Sequence, residues 1–177
     1  MTDYVALLRG INVGGNHKVE MKGLKALFES LGCTEVSTYI NSGNVLFRSG
    51  ESRETLYGKM EKAIGESYDF PIPLLIKTAE EMRRIAEAVP KEWMNDREQK
   101  TDVAYLFPDA DSEVTASLLP VKREFIDLRY VPGAVIWHVT RENLNRSRLS
   151  NAITHAVYRS MTVRNVNTAR FLAGLRG

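Results

Sequence analysis

Two short polar segments of the chain carry residue types that bind anions in proteins. Residues 9–16, with the sequence RGINVGGN, combine one arginine and two asparagines with three glycines. A guanidinium can hold an oxyanion through two parallel hydrogen bonds, and glycines allow backbone amides to face a ligand closely. Residues 41–44, with the sequence NSGN, add two asparagines and a serine hydroxyl. The candidate ligand-binding residues of these segments are Arg9, Asn12, Gly14, Gly15, Asn41, Ser42 and Asn44.

The same residues also have a purely structural interpretation, and the sequence leaves both open. Glycine and asparagine are the ordinary residues of tight turns, and Arg9 could pair with a neighbouring carboxylate instead of a ligand. The glycine spacing matches neither the dinucleotide-binding fingerprint nor the phosphate-binding loop. Ser42 lacks the G-x-S-x-G context of a nucleophile elbow. The sequence therefore predicts no catalytic residue and does not decide whether the protein is an enzyme.

A third polar segment, residues 162–168, precedes a predicted helix near the C-terminus. A helix N-terminus with an arginine beside it favours an anion, so Arg164 and Asn165 join the candidate ligand-binding residues. Asn165 could instead cap the helix through its side chain. The three histidines are scattered and a single cysteine cannot complete a zinc site, so we predict no metal and no cofactor.

The overall charge favours no partner strongly. The 177 residues include 24 basic and 22 acidic side chains, a net charge of +2 with the basic groups spread along the chain. Nucleic acid is therefore a weakly supported partner, a small anionic ligand is the stronger candidate, and no protein partner can be named. Cys33, the only cysteine, allows no internal disulfide and favours a reducing compartment. Because no apolar run reaches about 18 residues, we predict a cytoplasmic protein without membrane association.

The elements that must position the first two polar segments follow from the hydrophobic pattern. The predicted elements are, in order, a strand at 4–8, a helix at 21–31, strands at 36–40 and 45–47, a helix at 56–67, a strand at 72–76 and a helix at 82–89. The first strand is apolar throughout, as a central strand should be. Pro73 lacks an amide donor and places the strand at 72–76 at a sheet edge.

The second half of the chain repeats the same order of elements. Residues 91–101 are polar and aperiodic, which predicts a linker. The elements that follow are a strand at 103–107, a short helix at 114–119, a hairpin of 125–130 and 134–139, a helix at 149–157, a strand at 161–163 and a last helix at 169–173. We therefore predict an α+β fold, a tandem duplication of two ferredoxin-like (βαββαβ plus helix) subdomains, residues 1–90 and 102–177.

In the βαββαβ plan the first two strands run in the same direction. The segment after the first strand and the turn after the second strand therefore lie at the same end of the sheet. Residues 9–16 and 41–44 are thus predicted to form one polar rim. The equivalent residues of the second half, 108–111 and 131–133, read PDAD and VPG and lack this composition. If glycine and asparagine served only to form turns, both halves would be expected to carry them.

Three motifs of the chain resemble those of a known bacterial family. They are LRGINVGG at 8–15, YINSGNV at 39–45 and TVRNVNT at 162–168. On these motifs the chain is similar, over essentially its whole length, to the domain-of-unknown-function family 1697 (DUF1697). The resemblance implies a tandem pair of ferredoxin-like subdomains. It supplies no catalytic residue, because the family has no established biochemical function.

The leading functional hypothesis is binding of a small anionic, phosphate- or nucleotide-like ligand at the rim. An RNA-binding module is the first alternative, but it needs exposed aromatic residues on the central strands, and the first strand offers only Tyr4. An acylphosphatase-like phosphohydrolase is the second, by an analogy of fold and of the placement of an arginine and an asparagine. A protein-interaction scaffold without a ligand is the third.

Overall fold

The computed structural model describes residues 1–175 and divides into two compact units, a first unit of Met1–Ala79 and a second unit that begins at Glu80. The fold is α+β, with one four-stranded antiparallel sheet in each unit. The strands are β1 (Thr2–Leu8), β2 (Thr34–Tyr39), β3 (Asn44–Ser49), β4 (Leu74–Thr78), β5 (Gln99–Leu106), β6 (Asp127–Val131), β7 (Ala134–Thr140) and β8 (Met161–Asn165). The helices are α1 (Met21–Ser30), α2 (Arg53–Ser67), α3 (Ala79–Glu87), α4 (Glu113–Ser117), α5 (Leu144–Ser147), α6 (Ser150–Thr154) and α7 (Val166–Leu172). Within residues 1–175, no helix has the length and apolar character needed to cross a membrane.

The first sheet has the strand order β2-β3-β1-β4, so β1 lies between two other strands, as predicted. Tyr4, Ala6 and Leu8 alternate along β1 and face the hydrophobic core of the first unit. Val5 and Leu7 point to the opposite face and are also buried. Burial on both faces explains why this strand is apolar at every position from Tyr4 onward.

Helices α1 and α2 contribute apolar residues spaced three or four positions apart to the same core. These residues are Leu24, Phe28, Leu56, Met60 and Ile64. The start of α2 is set by Ser52, whose hydroxyl accepts a hydrogen bond from the amide of Thr55 at 3.2 Å. A serine in this position satisfies one of the amides that a helix leaves unpaired at its first turn.

The edge strand of the first sheet begins later than the sequence suggested. Strand β4 lies at the edge next to β1, as expected, but it spans Leu74–Thr78 instead of residues 72–76. Proline has a fixed φ and no amide hydrogen, so Pro71 and Pro73 cannot extend the ladder. Pro73 contributes only its carbonyl oxygen, which accepts a hydrogen bond from the amide of Arg9 at 3.0 Å.

A tyrosine hydroxyl covers part of this edge. The hydroxyl of Tyr57, on α2, accepts a hydrogen bond from the amide of Ile76 at 2.7 Å, and an open edge amide would be a site for pairing with another strand. We expect Tyr57→Phe to lower the free energy of unfolding by about 1 kcal/mol, the usual worth of such a bond, in urea titrations. Tyr68→Phe, which removes another hydroxyl of the same unit, is the control. Equal losses in the two variants would contradict a specific role for the Tyr57 hydroxyl.

The second sheet has the strand order β6-β7-β5-β8, with β5, whose second half is apolar, in the interior. Ala104 and Leu106 of β5 face the core of the second unit. One buried carboxylate lies in this sheet: Asp102 accepts a hydrogen bond from the indole nitrogen of Trp137 at 2.8 Å and pairs with Lys100 at 3.1 Å. Both partners compensate the cost of removing the carboxylate from water.

Several boundaries in the second half differ from the predicted ones. Strand β5 already begins at Gln99, and β6 begins at Asp127 instead of residue 125. The helix predicted at 149–157 is interrupted at His155, so that α6 ends there and a 3-10 turn, Ala156–Ser160, follows. The interruption has a local cause, because the Nδ1 of His155 accepts a hydrogen bond from the amide of Val157 at 3.1 Å and starts the new turn.

The residues predicted as a linker make contacts with the second unit. Trp93 stacks on His138 with ring centroids 4.9 Å apart, and the guanidinium of Arg141 donates to the carbonyl oxygen of Asp96 at 3.2 Å. The compact units divide between Ala79 and Glu80, ahead of the predicted linker at 91–101. The structural division thus assigns most of helix α3 and the segment after it to the second unit, whereas the sequence placed residues 80–90 in the first subdomain.

Candidate functional site

The segments that follow β1 and β2 meet at one end of the first sheet. The amide of Leu8 donates a hydrogen bond to the carbonyl oxygen of Gly43 at 2.9 Å. The side-chain nitrogen of Asn12 donates to the carbonyl oxygen of Asn41 at 2.7 Å. The predicted rim of residues 9–16 and 41–44 is therefore one continuous surface. It extends to the adjoining residues 17–20 and Ile40.

Gly43 is the point of closest approach between the two segments. Its φ is +83°, and a Cβ atom placed on it would lie 2.8 Å from both the Cβ of Leu8 and the Cδ1 of Ile11. Such distances leave no room for a side chain, and the positive φ adds a second reason for glycine. The glycine of the NSGN motif is therefore explained by packing and backbone conformation, without a ligand.

The side chain of Asn12 makes three hydrogen bonds within the rim, one of which joins its two segments, and we call these three bonds the clasp. Its Nδ2 donates to the carbonyl oxygens of Val19 (2.9 Å) and Asn41 (2.7 Å), and its Oδ1 accepts from the amide of Val19 at 2.8 Å. Both hydrogens of an asparagine amide are used in this arrangement. Asn12, predicted as a ligand donor, has no donor left for an anion while the clasp is closed.

Gly14 and Gly15 form the tip of a small hairpin. The amide of Asn16 donates to the carbonyl oxygen of Val13, and the amide of Asn12 to that of His17, each at 3.0 Å. The φ angles of the two glycines are +57° and +77°, the signs required at the centre of a type I′ turn. Both glycines are exposed, and their amides donate no hydrogen bond to any group of residues 1–175.

The hairpin is anchored at its base by an aromatic contact. The ring of His17 stacks on Phe70 with centroids 4.3 Å apart and planes 8° apart.

Ile40, the residue before Asn41, has a φ of +50° and is 50% exposed. A β-branched residue rarely adopts a positive φ, so the rim holds local backbone strain, a property that clusters at functional sites.

The second segment is stabilised by another internal asparagine. Asn44 is fully buried and donates to the carbonyl oxygen of Tyr39 at 3.0 Å and to the hydroxyl of Ser42 at 2.8 Å. The Asn44 amide thus closes the β2–β3 turn. Arg9 is partly buried, and its backbone is tied to Pro73 as described above.

A shallow depression of about 480 Å³ lies against the rim. Its lining residues are Asn12, Gly15, Lys18, Val19, Glu20, Met21, Lys22 and Asn41. Three candidate ligand-binding residues, Asn12, Gly15 and Asn41, belong to this lining. Lys18 and Lys22 add two ammonium groups and Glu20 one carboxylate, so the charged side chains of the depression are predominantly basic.

The sequence did not single out Lys18 and Lys22. Their spacing, i and i+4, was the available signal, but Lys18 precedes the predicted helix and looks like an ordinary exposed lysine. The hairpin of residues 12–17 turns the chain back so that Lys18 faces the start of α1. The reversal itself is made by the type I′ turn at Gly14 and Gly15, whereas the positive φ angles of the flanking residues Asn12 and His17 are not indicated by the residue pattern.

The two remaining candidates lie in the second unit. Arg164, in β8, is buried and donates to the hydroxyl of Thr162 (2.9 Å) and the carbonyl oxygen of Val163 (3.0 Å). Removal from water lowers the pKa of its guanidinium to about 10. Asn165 caps α7, since its side chain accepts a hydrogen bond from the amide of Thr168 at 3.1 Å. Within residues 1–175, no group of three or more His, Cys, Asp or Glu side chains could hold a metal ion.

Fold and rim together define an α+β protein of two units, the first of which presents a preformed polar surface at the end of its central strand. The chain belongs to the DUF1697 family, described as proteins of unknown function, whose model matches residues 1–137. The family predicted from the motifs is thereby confirmed. The match includes the two N-terminal motifs, and residues 162–168 lie beyond it.

A solved structure with a similar fold is that of the conserved bacterial protein SP0830 from Streptococcus pneumoniae. The two chains are 28% identical, superpose with a TM-score of 0.85, and each is covered over 98% of its length. The likeness therefore extends over both units. Comparison with curated proteins gives no significant match.

Proposed function

We propose that the first unit binds a small anionic ligand, phosphate- or nucleotide-like, in the depression beside the rim. The observation that carries this proposal is the position of Lys18 and Lys22 on the wall of a depression that also includes Gly15. Gly15 belongs to the lining, and its exposed amide can donate to an oxyanion. Asn12 and Asn44 shape the site, while the charge comes from the lysines.

The RNA-binding alternative is less well supported. It requires aromatic residues exposed on the central strands, whereas Tyr4 of β1 is 6% exposed and Tyr105 of β5 is fully buried. The acylphosphatase analogy needs an asparagine side chain that is available to the substrate, and the side-chain amides of Asn12 and Asn44 are engaged internally. We therefore propose binding and assign no hydrolytic step.

We also propose that each unit is a ferredoxin-like subdomain and that the chain arose by tandem duplication. The support is the identical strand order of the two sheets, β2-β3-β1-β4 and β6-β7-β5-β8. In the first unit α1 and α2 follow β1 and β3, and in the second unit shorter helices, α4 and then α5 with α6, follow β5 and β7. A cytoplasmic location is proposed from the buried, unpaired Cys33, which fits a reducing compartment.

The ligand proposal predicts a stabilisation that depends on two lysines. Inorganic phosphate, pyrophosphate and a panel of nucleotides are added to wild type and to Lys18→Ala/Lys22→Ala in thermal melts. At a ligand concentration about 100 times Kd, binding adds about 2.7 kcal/mol and should raise the Tm by about 5–10 °C. We expect this increase in wild type and its loss in the double variant.

The matched control is Lys25→Ala/Lys62→Ala, which removes the same charge from exposed helix positions paired with Glu29 and Glu66. It should respond to the anion as wild type does. Equal responses of all three proteins would reject the site. So would a wild type that no anion in the panel stabilises.

A further inference from the structure

A second basic surface lies in the second unit, on residues distinct from those of the rim. Its cations are Lys122, Arg123, Arg146 and Arg148, all of them exposed. The loop that carries the first two and the helix α5 region that carries the others are joined by a hydrogen bond from the amide of Lys122 to the carbonyl oxygen of Ser147 at 2.8 Å. These four residues are the basic surface.

The four cations of the basic surface outnumber the neighbouring carboxylates, those of Glu124 and Asp127. Segments 120–126 and 144–150 contain these four cations and one carboxylate, that of Glu124. None of the four cations forms an ion pair with a carboxylate of residues 1–175. Like charges brought together repel one another, so the surface carries an electrostatic cost that a polyanion would relieve.

Two of the arginines are held in place by the fold. The guanidinium of Arg146 lies 6.0 Å from the centre of the Phe125 ring, which restricts its side chain through a cation–π contact. Arg123 donates to the carbonyl oxygen of Leu128 at 3.4 Å. Restricting side chains before binding reduces the entropy lost on binding.

Arg148 has a backbone conformation that is usually adopted by glycine or asparagine. It ends α5 in the left-handed conformation, with φ +63° and ψ +24°. Glycine, or next to it asparagine, is the usual residue there, because a Cβ makes this conformation costly. A glycine would therefore suit this turn better than the arginine does. The presence of arginine here is consistent with a role of its side chain in binding.

We propose that the basic surface binds the phosphate backbone of single-stranded nucleic acid without sequence selectivity. Three of the four cations are arginines, whose planar forks suit phosphate oxygens, and a flexible strand can follow an irregular loop surface. The one aromatic residue of segments 120–126 and 144–150, Phe125, is half-buried under Arg146, so base stacking adds little. A membrane surface would need inserted apolar residues, and within α5 and α6 the exposed large hydrophobic residue is Ile153 alone.

The first test is the salt dependence of binding, measured by fluorescence anisotropy with a labelled oligouridylate of about 20 nucleotides and the full-length protein. Four phosphate contacts on a single strand give a slope of about −2.8 in a plot of log K against log salt. The association constant should then fall about 50-fold between about 50 and 200 mM salt. A slope near zero, or strong preference for one sequence over oligouridylate, would overturn the proposal.

The second test uses Arg148→Gly, for which folding and binding predict opposite signs. Relief of the left-handed strain should raise the Tm, while loss of one phosphate contact should weaken binding about 5–10-fold at low salt and reduce the slope by about 0.7. Arg148→Lys keeps the charge but not the fork, so it should keep the salt slope of wild type and lose less affinity than Arg148→Gly. Lys62→Ala controls for net charge.

Three further outcomes would overturn the proposal. They are an Arg148→Gly variant that binds as wild type does, a loss with Lys62→Ala as large as that with Arg148→Gly, and tighter binding to phosphatidylserine vesicles than to the oligonucleotide. None of these variants touches the depression of the first unit, so the outcome is independent of the small-anion proposal.

Discussion

Replacing Gly43 with alanine is expected to lower the free energy of unfolding by about 2–5 kcal/mol. Two costs combine at this position. The positive φ of +83° penalises any Cβ, and that Cβ would lie 2.8 Å from side-chain atoms of Leu8 and Ile11. Leu8 is fully buried in the core strand and Ile11 nearly so, so neither can move without disturbing the packing of the first unit.

Gly14→Ala is the matched control for Gly43→Ala. Gly14 has a φ of +57°, but a Cβ there would have no heavy atom within 4 Å. It should therefore show the conformational cost alone, about 1–2 kcal/mol. Urea unfolding of the two variants separates the terms, and equal losses would mean that the close approach at Gly43 is not a constraint on stability.

A second large effect is expected from Asn12→Asp, about 2–3 kcal/mol of lost stability. The carboxylate keeps the shape of the side chain and can still accept from the amide of Val19. It cannot donate, so its second oxygen would face the carbonyl oxygens of Val19 and Asn41, which now lie 2.9 and 2.7 Å from Nδ2. Repulsion among three oxygens should open the contact between the two halves of the rim.

Asn16→Asp provides the control, because it adds the same charge to the same rim. The side chain of Asn16 makes no hydrogen bond with the described residues, and it is exposed. Its replacement should change stability by less than about 0.5 kcal/mol. Hydrogen exchange at the amide of Leu8, which donates to the carbonyl oxygen of Gly43 across the two segments, should accelerate only in the Asn12 variant. Unchanged exchange there would contradict the role assigned to the Asn12 side chain.

The architecture of the first unit followed from a few strong signals in the sequence. The unbroken apolar run of β1 predicted a central strand, Pro73 predicted an edge, and the shared direction of β1 and β2 predicted that residues 9–16 and 41–44 meet. These arguments succeed because burial on two faces and the missing proline amide are properties of the residues themselves. The family could likewise be recognised, because its motifs are short and can be read directly from consecutive residues.

The chemistry of the rim was harder to predict than its location. An asparagine in a sequence shows two donors and an acceptor but not where they are used, so Asn12 and Asn44 could not be separated from ligand donors. The left-handed backbone angles at His17 and Ile40 are set by tertiary packing and cannot be predicted from the residue types. The orientation of Lys18, which follows His17, was therefore not predicted either. The break at His155 depends on one side-chain hydrogen bond that periodicity cannot detect.

The interior position of β1 also has a consequence for the protein during its synthesis. Of the four strands of this sheet β1 is made first, and it pairs on one side with β3 and on the other with β4, where Leu8 lies opposite Leu74. About 70 residues must follow β1 before its second neighbour exists, which takes several seconds on a ribosome. During that interval an apolar strand has an unpaired edge. We therefore expect nascent chains that end before residue 74 to bind chaperones or aggregate, and chains that extend well past residue 79 to be released.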